Sequence, residues 1–170
     1  MMEYTNRLKK IIEEQLPNGE SVIYDFFITL SRFEWALKSI PEFLIGKNAQ
    51  PDWNRFAHSI SDVFYYKHDP LLRQSVDNIL QHPPKRQINS NGQLEWDACL
   101  VDENATMTFK LSVYIKRIKL NLLHGDKFHA DHNLNDFDHK RISAATVILN
   151  NWLDLDIRVR DNFLESIETL

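Results

Sequence analysis

Between Ser21 and Ile40, the apolar residues Phe26, Leu30, Phe33, Leu37 and Ile40 recur at alternating intervals of four and three. A helix completes a turn in 3.6 residues, so this spacing lines one face of it; a strand would demand a period of two. The stretch therefore folds as a long helix with one buried stripe, which excludes an all-β chain. The same rhythm returns in Trp53, Phe56, Ala57, Ile60 and Val63, in Leu72, Val76 and Ile79, in Leu111, Ile115, Ile118 and Leu122, and in Ile142, Ala145, Leu149 and Trp152. It predicts helices over 21–40, 52–66, 106–124 and 137–153, with a shorter one after Pro70. An amphipathic first helix is expected over 3–15 and a short terminal one over 156–168.

Punctuation agrees with this division. Pro41, Gly46 and Pro51 follow the second helix, Pro83 and Pro84 stop the fourth, and Gly125 suits the left-handed position just past the fifth. Asp52 is placed to cap the third helix. Asn91-Gly92, between short extended runs, is the dipeptide of a type I′ turn, so a small β-hairpin is expected near 86–100. The fold class is mainly α: a helical bundle of five to six helices with that hairpin, residues 1–170 forming one domain.

Composition narrows the function. A net charge of −4 argues against a surface coated in basic residues for duplex DNA, though a local basic cleft remains compatible with it. The four glycines do not cluster, which removes Rossmann and P-loop phosphate cradles. The lone Cys99 leaves no internal disulfide. Charges interrupt every apolar run, and the start "MMEYTNRLKKIIEEQL" lacks a signal-peptide core, so the expectation is a cytoplasmic chain without a membrane segment.

The fifth helix carries a second pattern. Lys110, Tyr114, Arg117, Asn121 and His124 follow at intervals of four, three, four and three, which puts them on one side. Arg117 and His124 are displaced by only about 20° around the axis and about 10 Å along it, so one extended ligand can meet both. The plain alternative is a solvated stripe, with His124 interacting with the helix C-terminus. Beyond it, His124, His129, His132 and His139 with Asp126, Asp131, Asp136 and Asp138 hold metal-type donors. His129 and His132 lack the His-x-x-x-His spacing of a helix face, and "DHNLND" lacks the Gly and closing Glu of a calcium loop. The reading is a solvated loop, with no metal and no cofactor. Cys99, in the apolar "WDACLV", reads as a small core residue, and no Gly-x-Ser-x-Gly elbow occurs. Arg32 and Glu34 in "SRFEWALK" flank the apolar stripe and read as surface residues or an ion pair.

The segment "RIKLNLLHGDK", 117–127, resembles the Arg-to-His motif of the HEPN superfamily, especially members carrying Arg-Val-Arg-Asn-Asn-Leu-Phe-His-Gly-Gly-Lys. Arg117 falls on the first Arg, Asn121 on the second Asn and His124 on the His, with Gly125 and Lys127 also in place. "RFEWALK" and "PPKRQINSNGQLEW" extend the likeness loosely. The resemblance implies a HEPN-like homodimer with two motifs in one cleft. It further implies a metal-independent endoribonuclease of toxin–antitoxin or phage-defence type, with an antitoxin or other partner protein. His124 would then exchange a proton with the ribose 2′-OH or the leaving oxygen, Arg117 would stabilise the phosphate charge, and Asn121 would orient them. Lys119, Tyr114, Lys127 and Lys110 would bind the RNA. Two departures point to the alternative, a non-catalytic HEPN-like module binding RNA, a nucleotide or a partner protein. Ile118 replaces a polar residue, and Lys119 stands for an Arg, keeping the charge without the planar fork. Asp126 occupies the Tyr position of toxins modified by a nucleotidyltransferase, so that control is not expected.

Overall fold

The apolar stripes do become helices. The structure, a computed structural model, describes residues 3–15, 19–123 and 136–165. Its α-helices are α1 (Glu3–Gln15), α2 (Gly19–Lys38), α3 (Trp53–Ser59), α4 (Pro70–Gln81), α5 (Met107–Leu123), α6 (Asp136–Leu155) and α7 (Ile157–Leu164). Asp52 caps α3 as expected, its carboxylate accepting from the Arg55 amide at 3.0 Å. Asp69 and Asp156 cap α4 and α7 in the same way.

The third helix is shorter than its spacing predicts. It stops at Ser59 rather than near residue 66, and two short 3₁₀ turns, Ser61–Val63 and Tyr66–His68, continue the chain. The Ser59 and Ser61 hydroxyls donate back to the Phe56 and His58 carbonyls at 2.8 and 2.9 Å, offering the backbone an alternative to a further helical turn. The tighter turn buries Phe64 and leaves Val63, expected on the inner face, 46% exposed.

α6 forms the spine, packing against both α2 and α4, while α7 closes over α2 and α6. Trp152 of α6 is fully buried and meets the rings of Phe33, Phe56 and Phe64 at centroid distances of 6.4, 5.8 and 6.2 Å. Aromatic residues from α2, α3 and the connection after α3 thus converge on one α6 side chain. Arg32, beside the α2 stripe, donates to the Phe163 and Asn162 carbonyls at 2.7 and 3.1 Å, so it closes the C-terminal end of α7.

Two small antiparallel hairpins complete the described chain. β3 (Arg86–Ser90) pairs with β4 (Gln93–Asp97), and the turn between them has φ of 53° at Asn91 and 85° at Gly92, as the Asn-Gly dipeptide predicts. The other hairpin, β1 (Leu44–Ile45) with β2 (Gln50–Pro51), was not anticipated, because strands of two residues carry no readable period. Among the described residues, no helix is long and apolar enough to cross a membrane.

Candidate functional site

The polar stripe of α5 faces the chain's own 82–103 segment. Arg117 donates from Nη1 to the Pro84 and Ala98 carbonyls at 3.4 and 3.3 Å and from Nη2 to the Cys99 carbonyl at 2.8 Å. One guanidinium therefore holds both roots of the β3–β4 hairpin. Asn121 Nδ2 donates to the Lys85 carbonyl at 2.9 Å, the Val101 amide donates to Tyr114 Oη at 3.5 Å, and Lys110 Nζ donates to the Glu103 carbonyl at 2.7 Å. From α6, Arg141 Nε donates to the His82 carbonyl at 2.6 Å. Tyr114 and Asn121 are only 5% and 9% exposed, so the stripe is not the solvated face that spacing alone allows. Cys99 departs from the expected core role: it is half-buried, with φ of 33°, and the Arg117 bond to its carbonyl helps hold that costly conformation.

Lys119 belongs to a different constellation. Two residues beyond Arg117, it projects about 200° further around α5. There its ammonium donates to both Glu34 oxygens, at 2.9 and 2.7 Å. Trp53 Nε1 donates to the same carboxylate at 3.3 Å. Glu34 is thus an ion-pair residue, but its partner is Lys119, 85 residues away, rather than the neighbouring Arg32. One turn back on α5, Lys116 is half-buried. Burial pushes its ammonium below the usual lysine range, against the opposing attraction of Asp52 and Glu34.

The sign of that shift yields a prediction. A lysine whose folded pKa is lowered binds fewer protons folded than unfolded, between the lowered value and about 10.5. Its penalty is complete below that window and is relieved as pH rises through it. Lys116→Met is therefore expected to raise stability at pH 7 and to flatten the rise toward pH 10. Urea melts across pH 6–10 test it; an unchanged or steeper slope in the variant would refute the assignment.

Beside the hairpin root lies a cleft of about 340 Å³ between α5, α6 and β4. Lys85, Trp96, Ile118, Asn121, Arg141 and Ile142 line most of it. Arg141 also pairs with the buried Asp138 at 3.1 Å, which is held in turn on α6. Of these, sequence reading singled out Asn121 as a site residue and Asp138 as a metal-type donor. Lys85 and Trp96 lay unassigned within "PPKRQINSNGQLEW", and Arg141 has no local signal that separates it from a surface arginine.

The structure brings Tyr114, Arg117, Asn121 and Lys110 together under the hairpin root and sets Lys119 apart. His124 and Lys127 lie outside the described residues, as do Gly125, Asp126, His129, Asp131 and His132. Among the described residues no three His, Cys, Asp or Glu side chains are grouped to hold a metal ion. Comparison with known proteins finds no matching family model, no matching curated protein and no matching solved structure.

Proposed function

We propose that the chain is a HEPN-like module that binds single-stranded RNA along α5 and the root of the β3–β4 hairpin, with Arg117 acting as a clamp. The observation that carries this reading is the commitment of Arg117 to three backbone carbonyls, a geometry that aims its terminal nitrogens at the chain itself. Lys119 is likewise occupied by Glu34. A nuclease needs such donors aimed at the phosphate. The exposed Lys85 and the half-exposed Trp96, both lining the cleft, supply instead the charge and aromatic surface that single strands use. One observation favours the endoribonuclease as a second reading. Among the described residues, only neutral carbonyls and the Tyr114 ring approach the Arg117 guanidinium, so its charge is not cancelled by a carboxylate. A homodimer belongs to either reading. It is supported by exposed apolar residues Tyr24 and Ile28 on α2 and Leu120 and Leu123 on α5.

The test is fluorescence anisotropy of a labelled single-stranded RNA across a salt series, beside gel assays of the same RNA in chelator. Binding without cleavage is expected, weakening with salt at a log–log slope of about −0.7 per phosphate contacted. Cleavage in chelator that His124→Ala lowers roughly 10²–10⁴-fold would establish the nuclease instead. Absence of both binding and cleavage would remove RNA from the account.

A further inference from the structure

We infer that the tip of the β3–β4 hairpin is a modification site: Asn91 is converted to aspartate and isoaspartate by attack of the Gly92 backbone nitrogen, and Asn89 holds the reaction back. The inference stands apart from the RNA-binding reading. Attack within one chain is fast when the reacting groups are already joined and nothing obstructs them. Asn91 is exposed, so water reaches its carboxamide. Gly92 carries no side chain to screen its nitrogen, and nothing lies within 4 Å of where a Cβ would stand. Every other described asparagine is followed by a residue that has a side chain.

In the reaction the Gly92 nitrogen gives its proton to solvent and bonds to Asn91 Cγ. The Cγ–Nδ2 bond breaks, and the leaving nitrogen takes up a proton and departs as ammonia. Water then opens the cyclic imide. Breaking the new Cγ–N bond leaves aspartate; breaking the bond to the main-chain carbonyl carbon leaves isoaspartate, with the chain running through the side chain. The two products have opposite structural fates. Asp-Gly suits a type I′ turn as Asn-Gly does, so aspartate keeps the hairpin. Isoaspartate adds a methylene to the main chain between Ser90 and Gln93, which are paired across the turn, and so undoes their register.

In the folded hairpin the attacking nitrogen is restrained. Its N–H donates to Asn89 Oδ1 at 2.7 Å. Removing that proton forfeits the bond, and so does turning the nitrogen toward Asn91 Cγ. The positive φ of 53° at Asn91 and 85° at Gly92 belongs to the closed turn and fixes the peptide between them. Cyclisation therefore waits for the turn to open locally. By holding both hairpin roots, the Arg117 clamp makes that opening rarer.

Peptide mapping by mass spectrometry of the full chain, held in mildly alkaline buffer and sampled over days, reads the conversion at Asn91. Labelling with an isoaspartyl methyltransferase separates the two products, and the urea-unfolded chain supplies the unrestrained rate. The folded parent is expected to convert more slowly than the unfolded chain. Asn89→Ala should speed conversion in the folded protein roughly three- to tenfold, the scale of one hydrogen bond. Asn89→Asp, which keeps an acceptor at that place, should convert no faster than the parent. Arg117→Ala should also speed it, through more frequent opening. Amide exchange at Ser90 and Gln93 separates a direct restraint from a loosened hairpin. Exchange that changes little in Asn89→Ala supports the restraint; exchange that rises by the same factor as the conversion overturns it. A folded parent converting as fast as the unfolded chain, or Asn89→Ala converting at the parent's rate, also overturns it. Absence of conversion at Asn91 even in urea would remove the site altogether.

Discussion

Replacing Arg117 by alanine is expected to lower the unfolding free energy by about 2–3 kcal/mol, or roughly 5–10 °C in melting temperature. The side chain makes three hydrogen bonds to carbonyls at two separate points of the chain, Pro84 on one hairpin root and Ala98 with Cys99 on the other. Charged donors make hydrogen bonds stronger than neutral ones, and Pro84 is buried, so its carbonyl loses a partner that water replaces poorly. The half-exposed setting keeps the loss below the sum of three fully buried bonds. Arg117→Lys should recover less than half of it, because one ammonium cannot span both roots as the planar fork does. Amide exchange should accelerate in β3 and β4 more than in α2 or α6, since the loss frees the hairpin before it touches the core. A well-measured change below about 0.5 kcal/mol would mean that the clamp contributes nothing.

The second large effect is expected at Glu34. Its carboxylate is the common acceptor for Lys119 and for Trp53 Nε1, and the side chains of Glu34 and Lys119 are 19% and 29% exposed. Breaking a fully buried pair costs about 3–5 kcal/mol; this partly wet one should cost about 2–3 for Glu34→Ala. The loss comes from what is left behind: an unpaired Lys119, a Trp53 N–H without an acceptor, and a Lys116 deprived of an attractive charge. Glu34→Gln keeps an acceptor for Trp53 and should cost less. Combining it with Lys119→Met removes both charges and should restore much of the stability, because no ion is stranded. Urea melts of the two single variants and the double give the coupling directly. Strictly additive losses would show that the pair is a surface ornament with no energetic link.

Both effects turn on contacts that spacing cannot reveal. The helices were legible because burial imposes a 3.6-residue rhythm, and Phe26, Leu30, Phe33, Leu37 and Ile40 keep it without a break. The hairpin was legible because only a few residues accept positive φ at both turn positions, and Asn91-Gly92 is such a pair. The extent of α3 was not. Ile60 and Val63 continue the rhythm, while the competing Ser59 and Ser61 hydroxyls act only through local geometry. The α5 stripe was visible as a row of polar residues, yet its partners proved to be backbone carbonyls and one backbone amide, groups that no pattern marks. The same holds for Glu34 and Lys119: each has an ordinary charge, and only the docking of α5 near α2 makes them a pair.

The place of Trp152 has a consequence for how the protein is made. Phe33 and Phe56 are made about 119 and 96 residues ahead of the indole that closes over them, and at about 5–20 residues per second the intervals are roughly 6–24 s and 5–19 s. Throughout that time α2 and α3 exist as sequence without the spine that shelters their rings. A nascent chain in this interval presents sticky aromatic surface to chaperones and to its own neighbours on a polysome, and translation that stalls before α6 prolongs the exposure. Slow codons ahead of residue 136 would thus be a hazard to yield.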